Sequence, residues 1–213
     1  MSAPKIYIVY YSTYRHVSRL AKEIAKGVQE QGADVKLFQV QETLSQEILD
    51  LIHAPPQEED VPVIQPQQLS EADGILFGFP TRFGMLPSQM KAFFDGTGGL
   101  WASKALAGKF AGIFFSTASQ HGGQETTAMS TIPFFAHHGM NYVPLGFPHE
   151  HMFTNEEVVG GSAWGAGTVA NGDGSRQPSE KELTLAYLQG QNFAQIVAAY
   201  VRGRDATDIA AAV

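Results

Sequence analysis

The chain has 213 residues, 44 % of them apolar, which is enough to bury the core of one domain. Its 14 basic and 21 acidic residues give a formal net charge of -7, which repels phosphodiester backbones and anionic lipid headgroups, so nucleic acid and membranes are not expected partners. With no cysteine, the chain has no disulfide, thiolate metal site or cysteine nucleophile. No apolar stretch approaches the length of a bilayer span, and Ser2 stands where N-myristoylation requires glycine, so we expect a cytoplasmic protein without a membrane anchor.

The first third of the chain alternates strand and helix patterns. Residues 6–11 are continuously apolar and rich in β-branched and aromatic side chains, which is typical of a strand covered on both faces. An apolar stripe over residues 17–28 predicts a helix, and a second strand is predicted at residues 35–38. Residues 42–68 are polar and interrupted by prolines, which indicates a long excursion with one short helix.

The rest of the chain continues this alternation. Ser179 and Glu182 have the spacing of a capping box at the start of the last helix, and the glycine-rich residues 160–175 are expected to form a structured loop. The pattern predicts an open parallel sheet with helices on both faces, in a single domain of residues 1–203 followed by a tail at 204–213. The predicted elements are strands at residues 74–78, 110–115 and 141–143, and helices from Ser88, over 125–138 and over 180–202.

The loop after the first strand, residues 12–17, is the most informative one. Ser12 and Thr13 supply hydroxyls, and consecutive N–H groups follow at a helix amino end, which together make a phosphate cradle. Neither G-x-G-x-x-G nor a P-loop motif occurs, so a monophosphate fits better than a pyrophosphate. A Ser12 that only caps the helix explains the same residues equally well.

Two further strands end in loops of similar character. In residues 79–87 a proline on each side stiffens the turn and Gly84 permits an unusual backbone angle, although an ordinary turn with a solvated Arg82 explains this segment too. Residues 116–124 place small polar side chains before a helix. Because parallel strands end at one edge of the sheet, the three loops together predict a planar cofactor with a phosphate tail.

Other reaction classes find little support. The adjacent His137 and His138 point to different faces of a helix, and no acidic residue or thiol completes a metal spacing among the seven histidines. The G-x-S-x-G elbow of serine hydrolases is absent. Trp101 is flanked by glycines rather than by a helical apolar stripe, so a ligand contact and core packing both remain open for it.

Four segments carry a resemblance to a known family: residues 80–84, 97–103, 136–140 and 172–179. Over nearly all of residues 5–203 the chain strongly resembles the tryptophan-repressor-binding-protein-like (WrbA-like) NAD(P)H:quinone oxidoreductases of the flavodoxin-like superfamily. The resemblance implies a doubly wound α/β fold with five parallel strands in the order 2-1-3-4-5. It also implies FMN as cofactor, NADH or NADPH as electron donor, a quinone as substrate, and a homotetramer with sites close to the subunit interfaces.

The resemblance further implies the roles of individual residues. Residues 12–17 would hold the FMN phosphate, the segment around Thr81 would flank the isoalloxazine ring, and the loop from Ser116 would line the ribityl chain. Tyr14 would meet the nicotinamide, Trp101 would bound the substrate side, and His137 would touch the flavin and is the candidate proton donor, since histidine titrates near neutral pH. The implied FMN-binding set is Ser12, Thr13, Tyr14, Arg15, His16, Val17, Pro80, Thr81, Arg82, Phe83, Gly84, Ser116, Thr117, Ala118, Ser119, Gln120, His121, Gly122 and His137.

The chain departs from the family pattern in the loop of residues 116–123, which is one residue longer and less glycine-rich, and in the phosphate loop of residues 12–17. The family usually has glycine after the tyrosine of this loop, where the chain has Arg15. Either the backbone angle is not strained here, or Arg15 adds positive charge near the phosphate.

The resulting hypothesis is a ping-pong enzyme in which NAD(P)H gives a hydride to flavin N5 and a quinone then collects two electrons. A one-electron carrier of the flavodoxin type shares the fold and the phosphate loop, and is the first alternative. A flavin-binding scaffold or stress protein is the second.

Overall fold

One twisted sheet organises the molecule, for which the computed structural model describes residues 3–211 and the side chains of residues 3–205. Within that part the sheet has seven strands in the order β2-β1-β3-β4-β7-β6, and β5 pairs with the beginning of β4. All pairs are parallel except β6 with β7. The strands are β1 Lys5–Tyr10, β2 Asp34–Gln39, β3 Gly74–Pro80, β4 Phe110–Thr117, β5 Asn141–Tyr142, β6 Gly161–Ser162 and β7 Gly165–Val169.

Helices cover both faces of the sheet because its central strands are apolar on both sides. In β1, Ile6 and Ile8 belong to one buried cluster and Tyr7 and Val9 to the other, as the two-residue period of a strand requires. Helices α1 and α6 complete the first cluster, while α3 and α5 complete the second. The helices are α1 His16–Glu30, α2 Gln46–Leu51, α3 Ser88–Asp95, α4 Gly98–Ala102, α5 Gln124–His138 and α6 Glu180–Ala211.

Two glycines allow α1 and α6 to pack closely. A Cβ on Gly27 would lie 2.1 Å from the carbonyl oxygen of Tyr187, and one on Gly190 would lie 2.2 Å from that of Ile24. Any larger residue at either position would force the helices apart. This contact fixes the second half of α1 against α6.

The prediction of five strands in a single order is wrong. Two short strands, rather than one fifth strand, pair with the outer side of β4. β5 pairs with the start of β4, and β7 pairs with its end. The glycine-rich segment predicted as a loop therefore contains β6 and β7. Glycine disfavours strands in general, but here it allows close approach, because a Cβ on Gly165 would lie 2.0 Å from the carbonyl oxygen of Ile113.

The carboxyl end differs from the prediction as well. Ser179 and Glu182 form the predicted capping box, with Ser179 N donating to Glu182 Oε2 at 2.8 Å. The helix that they start was predicted to end at residue 202, but α6 continues to Ala211, so most of the predicted tail is helical. Residues 212–213 lie outside the described part. Within that part, no helix has the length and apolar character to cross a membrane.

Candidate cofactor site

A cavity of about 250 Å³ opens at the carboxyl edge of the sheet. Its walls come from four strand-end loops, following β1, β3, β4 and β7, as expected for ligands of open parallel sheets. Three of these loops were among the predicted FMN contacts and the fourth was not. The lining residues are Ser12, Thr13, Tyr14, His16, Val17, Pro80, Thr81, Arg82, Ser116, Thr117, Ala118 and residues 170–174.

The loop between β1 and α1 presents backbone donors to this cavity. Arg15 is the N-cap of α1 but makes no side-chain cap bond, and Ser12 Oγ accepts from Ser18 N only at 3.4 Å. In the part of the chain that the structure describes, the N–H groups of residues 14–17 donate to no acceptor. Ser12 is therefore a weak cap, and the N–H groups at the start of α1 are available to an anion.

Two side chains of this loop tie it to the excursion of residues 42–68. Tyr14 Oη donates to the carbonyl oxygen of Ile52 at 2.8 Å, and Arg15 Nη2 donates to that of Pro56 at 3.3 Å. Arg15 has φ 67, so its backbone does adopt the left-handed conformation that favours glycine. Its guanidinium contacts the neighbouring loop and does not line the cavity. The interpretation that the backbone angle is unstrained is therefore wrong, whereas a contribution of Arg15 to the charge near the phosphate stays a prediction.

The loop after β3 brings a cation to the cavity. Arg82 donates from Nη2 to Thr13 Oγ1 at 3.1 Å and from Nη1 to the carbonyl oxygen of Thr81 at 2.9 Å. Phe83 and Gly84 form the tip of the turn with φ 53 and 76, and Phe83 is fully exposed. Gly84 has the positive φ predicted for it, but neither tip residue lines the cavity.

A partly buried polar network supports Thr13, whose Oγ1 donates to Tyr11 Oη at 3.4 Å. Tyr11 Oη donates to Glu42 Oε2 at 2.7 Å, and Gln89 Nε2 donates to Glu42 Oε1 at 2.9 Å. Burial raises the pKa of Tyr11 to about 12, so it stays protonated and keeps donating. Burial alone would also raise the pKa of Glu42, but hydrogen bonds from Leu44 N, Tyr11 and Gln89 outweigh it and hold that pKa below its ordinary value.

The loop after β4 is divided between two cavities. Thr117 Oγ1 donates to the carbonyl oxygen of Ser119 at 2.8 Å and accepts from Gln124 Nε2 at 2.9 Å, which fixes the turn. Residues 116–118 line the first cavity, and Ser119 and Gly122 do not. Gln120 and His121 line a second, open cavity beside residues 159–162.

The fourth wall, residues 170–174, belongs to the glycine-rich segment that was predicted as a structured loop covering a substrate site, but it was not among the predicted FMN contacts. Arg176 N donates to the carbonyl oxygen of Ala170 at 3.1 Å, which closes the loop, and the carbonyl oxygen of Arg176 lies 2.9 Å from His16 Nε2. The Gly172–Asp173–Gly174 turn was visible in the sequence, and recognising β7 would have placed it at the same edge as the other loops.

Trp101 and His137 lie far from the cavity of their own chain. His137 comes 13 residues after the start of α5, and a rise of about 1.5 Å per residue puts it about 20 Å away, at the opposite edge of the sheet. The contact of Thr97 Oγ1 with His138 Nε2 at 3.0 Å brings the start of α4, and with it Trp101, to the same end. Both side chains are exposed. Neither residue lines the cavity of its own chain, and their contacts with flavin and substrate stay predictions.

Comparison with known proteins places the chain among flavin enzymes. Residues 4–154 match the family model described as NADPH-dependent FMN reductase. The quinone oxidoreductase QR2 of Triphysaria versicolor is 61 % identical over 196 residues, covering 91 % of this chain and 95 % of that protein. NAD(P)H quinone oxidoreductase PST2 of Candida albicans is 48 % identical, covering 92 % and 98 %. Among solved structures, the WrbA-like flavodoxin of Agrobacterium tumefaciens superposes with a TM-score of 0.63 at 23 % identity, covering 92 % and 98 %, which supports the flavodoxin-like fold.

Proposed function

Because the chain belongs to the NADPH-dependent FMN reductase family, we propose that it is a cytoplasmic enzyme that binds FMN in the strand-end cavity and reduces quinones with NADH or NADPH. One observation carries the proposal. Tyr14, His16 and Val17, whose N–H groups have no acceptor in the described part of the chain, line a cavity of flavodoxin-like position together with Ser12 and Thr13. The names of the quinone oxidoreductases of Triphysaria and Candida support the choice of acceptor.

The residues present fit FMN. Its phosphate needs N–H and hydroxyl donors and no second phosphate site, which matches residues 12–17. When bound, FMN supplies the redox chemistry, taking two electrons as hydride and passing them to a quinone. The chain's part is to bind and orient. Arg82, fixed by Thr13 and Thr81, provides a positive charge at the cavity that favours anionic groups.

An anaerobic experiment tests the activity. The FMN-loaded protein is mixed with NADH or NADPH, and its 450 nm absorbance is followed before and after addition of benzoquinone. We expect full bleaching followed by full recovery. Absence of bleaching, or bleaching without recovery, would exclude a quinone reductase. A trace that stops at half reduction would favour a one-electron carrier.

The phosphate placement has its own test. Ser12→Glu puts a carboxylate beside the N–H groups of residues 14–17, so FMN retention through gel filtration should be lost. Ser70→Glu adds the same charge at an exposed position just before β3, at the edge of the sheet opposite the cavity, and should retain FMN. Normal retention by Ser12→Glu would contradict the placement.

We further propose a homotetramer of the WrbA-like type, in which Trp101 and His137 act on the cavity of another subunit. The support is geometric. Both side chains are exposed at the edge opposite their own cavity, so only a second copy can bring them to a ligand.

Subunit mixing tests this arrangement. Ser12→Glu and Trp101→Ala are each purified, unfolded together and refolded as mixed oligomers. If Trp101 acts on a neighbouring site, some sites combine an intact phosphate loop with an intact Trp101, and activity rises above the sum of the two variants. Additive activities, or a monomer by light scattering, would contradict the proposal.

A further inference from the structure

The geometry points to Arg176 as a positioning residue: we propose that its side chain fixes residues 170–174 against the phosphate end of the FMN site and thereby sets the preference for FMN over unphosphorylated flavin. This inference depends on the FMN site proposed above. It concerns a wall of the cavity that was not among the predicted FMN contacts.

The main chain of Arg176 joins this wall to the phosphate loop. Its N–H closes residues 170–176 by donating to the carbonyl oxygen of Ala170 at 3.1 Å. Its carbonyl oxygen lies 2.9 Å from Nε2 of His16, the first residue of α1 and a buried part of the cavity lining. Gly174 lies beside the same imidazole, since a Cβ on it would be 3.9 Å from His16 Cε1. The wall and the N–H cradle therefore meet at His16.

The side chain of Arg176 fixes where that main chain lies. Nη1 donates to the carbonyl oxygen of Val169 at 2.6 Å and to both carboxylate oxygens of Glu182 at 3.0 and 2.9 Å. Nη2 donates to the carbonyl oxygen of Val158 at 2.8 Å. One guanidinium thus connects the end of β7, the start of α6 and the segment before β6. The planar guanidinium directs its N–H groups at fixed angles, which the single ammonium group of a lysine could not reproduce.

Glu182 makes the anchor rigid. Its carboxylate is fully buried and also accepts from Gly160 N, Thr168 Oγ1 and Ser179 N at 2.7 to 2.8 Å. A buried anion with this many donors leaves its partner little freedom, and removing the cation would leave it uncompensated. We therefore expect the loop, rather than the sheet, to take up the change when Arg176 is replaced.

A role of Arg176 in stability alone and a role in positioning the loop predict different ratios of FMN affinity to riboflavin affinity. A loop that acts on the phosphate end changes affinity for FMN and leaves affinity for riboflavin, which lacks the phosphate, unchanged. General loosening of the fold lowers both affinities together. The ratio of the two dissociation constants is therefore the readout, and it does not depend on enzyme turnover.

The experiment measures quenching of flavin fluorescence on titration with apoprotein, for FMN and riboflavin separately. For Arg176→Met we expect FMN affinity to fall roughly tenfold, the scale of one lost charged contact, with riboflavin affinity unchanged within about twofold. Lys181→Gln is the matched control: it breaks the neighbouring surface ion pair with Glu157 and should leave both affinities as in the wild type.

Gly174→Ala keeps the test decisive if Arg176→Met fails to fold. This substitution leaves the Arg176–Glu182 pair intact but strains the loop, because Gly174 has φ 72. It should therefore weaken FMN binding relative to riboflavin binding. Unchanged FMN affinity in the folded variants, or an equal loss for both flavins, would overturn the inference. A wild-type protein that binds riboflavin as tightly as FMN would instead overturn the phosphate site itself, so the two failures are distinguishable.

Discussion

Arg15→Gly should be more stable than Arg15→Ala in this structure, whereas at an ordinary helical position the alanine variant is the more stable of the two. Arg15 has φ 67 and ψ 3, where a Cβ costs about 1–2 kcal/mol. Glycine removes this cost but makes the unfolded chain more flexible, which offsets about 0.5–1 kcal/mol. Both substitutions remove the exposed 3.3 Å contact with Pro56, so that loss cancels between them. Arg15→Gly should therefore be more stable than Arg15→Ala by roughly 0.5–1 kcal/mol.

Urea unfolding of the two apoproteins, followed by far-UV circular dichroism, measures this difference. At a helical position alanine is the more stable by about 1 kcal/mol, so the sign alone discriminates. A higher midpoint for Arg15→Ala, at equal slopes, would refute the left-handed conformation. Replacement of Arg19, on the same helix, by glycine and alanine should give that ordinary order.

The same pair of variants tests where the guanidinium acts. Because it contacts Pro56 and does not line the cavity, Arg15→Ala should change the FMN dissociation constant by less than about threefold, a difference under 1 kcal/mol. A loss of tenfold or more that disappears in high salt would show that Arg15 contacts the phosphate after all.

Three further predictions concern stability. Burial alone would raise the pKa of Glu58, but hydrogen bonds led by that from Lys22 hold it below the ordinary value, so the folded state binds fewer protons and stability falls as pH drops through about 4. Glu58→Gln should be less stable at pH 7 but lose less on acidification in urea titrations, and parallel profiles would contradict this. Gly27→Ala should destabilise by roughly 1–3 kcal/mol through overpacking. Gly203→Ala, where no described atom outside the helix's own turn lies within 4 Å of the added Cβ, should be neutral or stabilising in thermal melts. Burial lowers the pKa of His138, so the folded protein loses stability as pH falls below about 6.5, and His138→Asn should flatten that part of the profile; a variant as acid-sensitive as the wild type would contradict it.

Local patterns predicted those parts of the fold that local chemistry determines. The covered strands β1, β3 and β4 are apolar runs, and the start of α6 is a capping box, so each can be recognised within a few residues. β7 could not be recognised in this way. Its sequence Gly165–Val169 contains two glycines, and its pairing depends on the close approach of β4, more than forty residues earlier in the chain. Missing β7 also hid the wall formed by residues 170–174.

The site was predictable at the ends of strands and not at the ends of helices, for one physical reason. In a parallel sheet every strand ends at the same edge, so residues 12–17, 80–82 and 116–118 converge without knowledge of the register. A helix returns the chain across the sheet, and its last residues lie a helix length away. His137 lies in the last turn of α5, and Trp101 lies in α4, which comes after α3 has crossed the sheet.

Trp101 and His137 therefore carry a prediction about assembly rather than about one subunit. Both side chains are exposed, and neither lines the cavity of its own chain. If a ligand contacts them, a second copy must present its cavity to these side chains, which turns the predicted site residues into a prediction of quaternary structure. The mixing of Ser12→Glu with Trp101→Ala tests that consequence directly, because only a shared site can regain what each variant has lost.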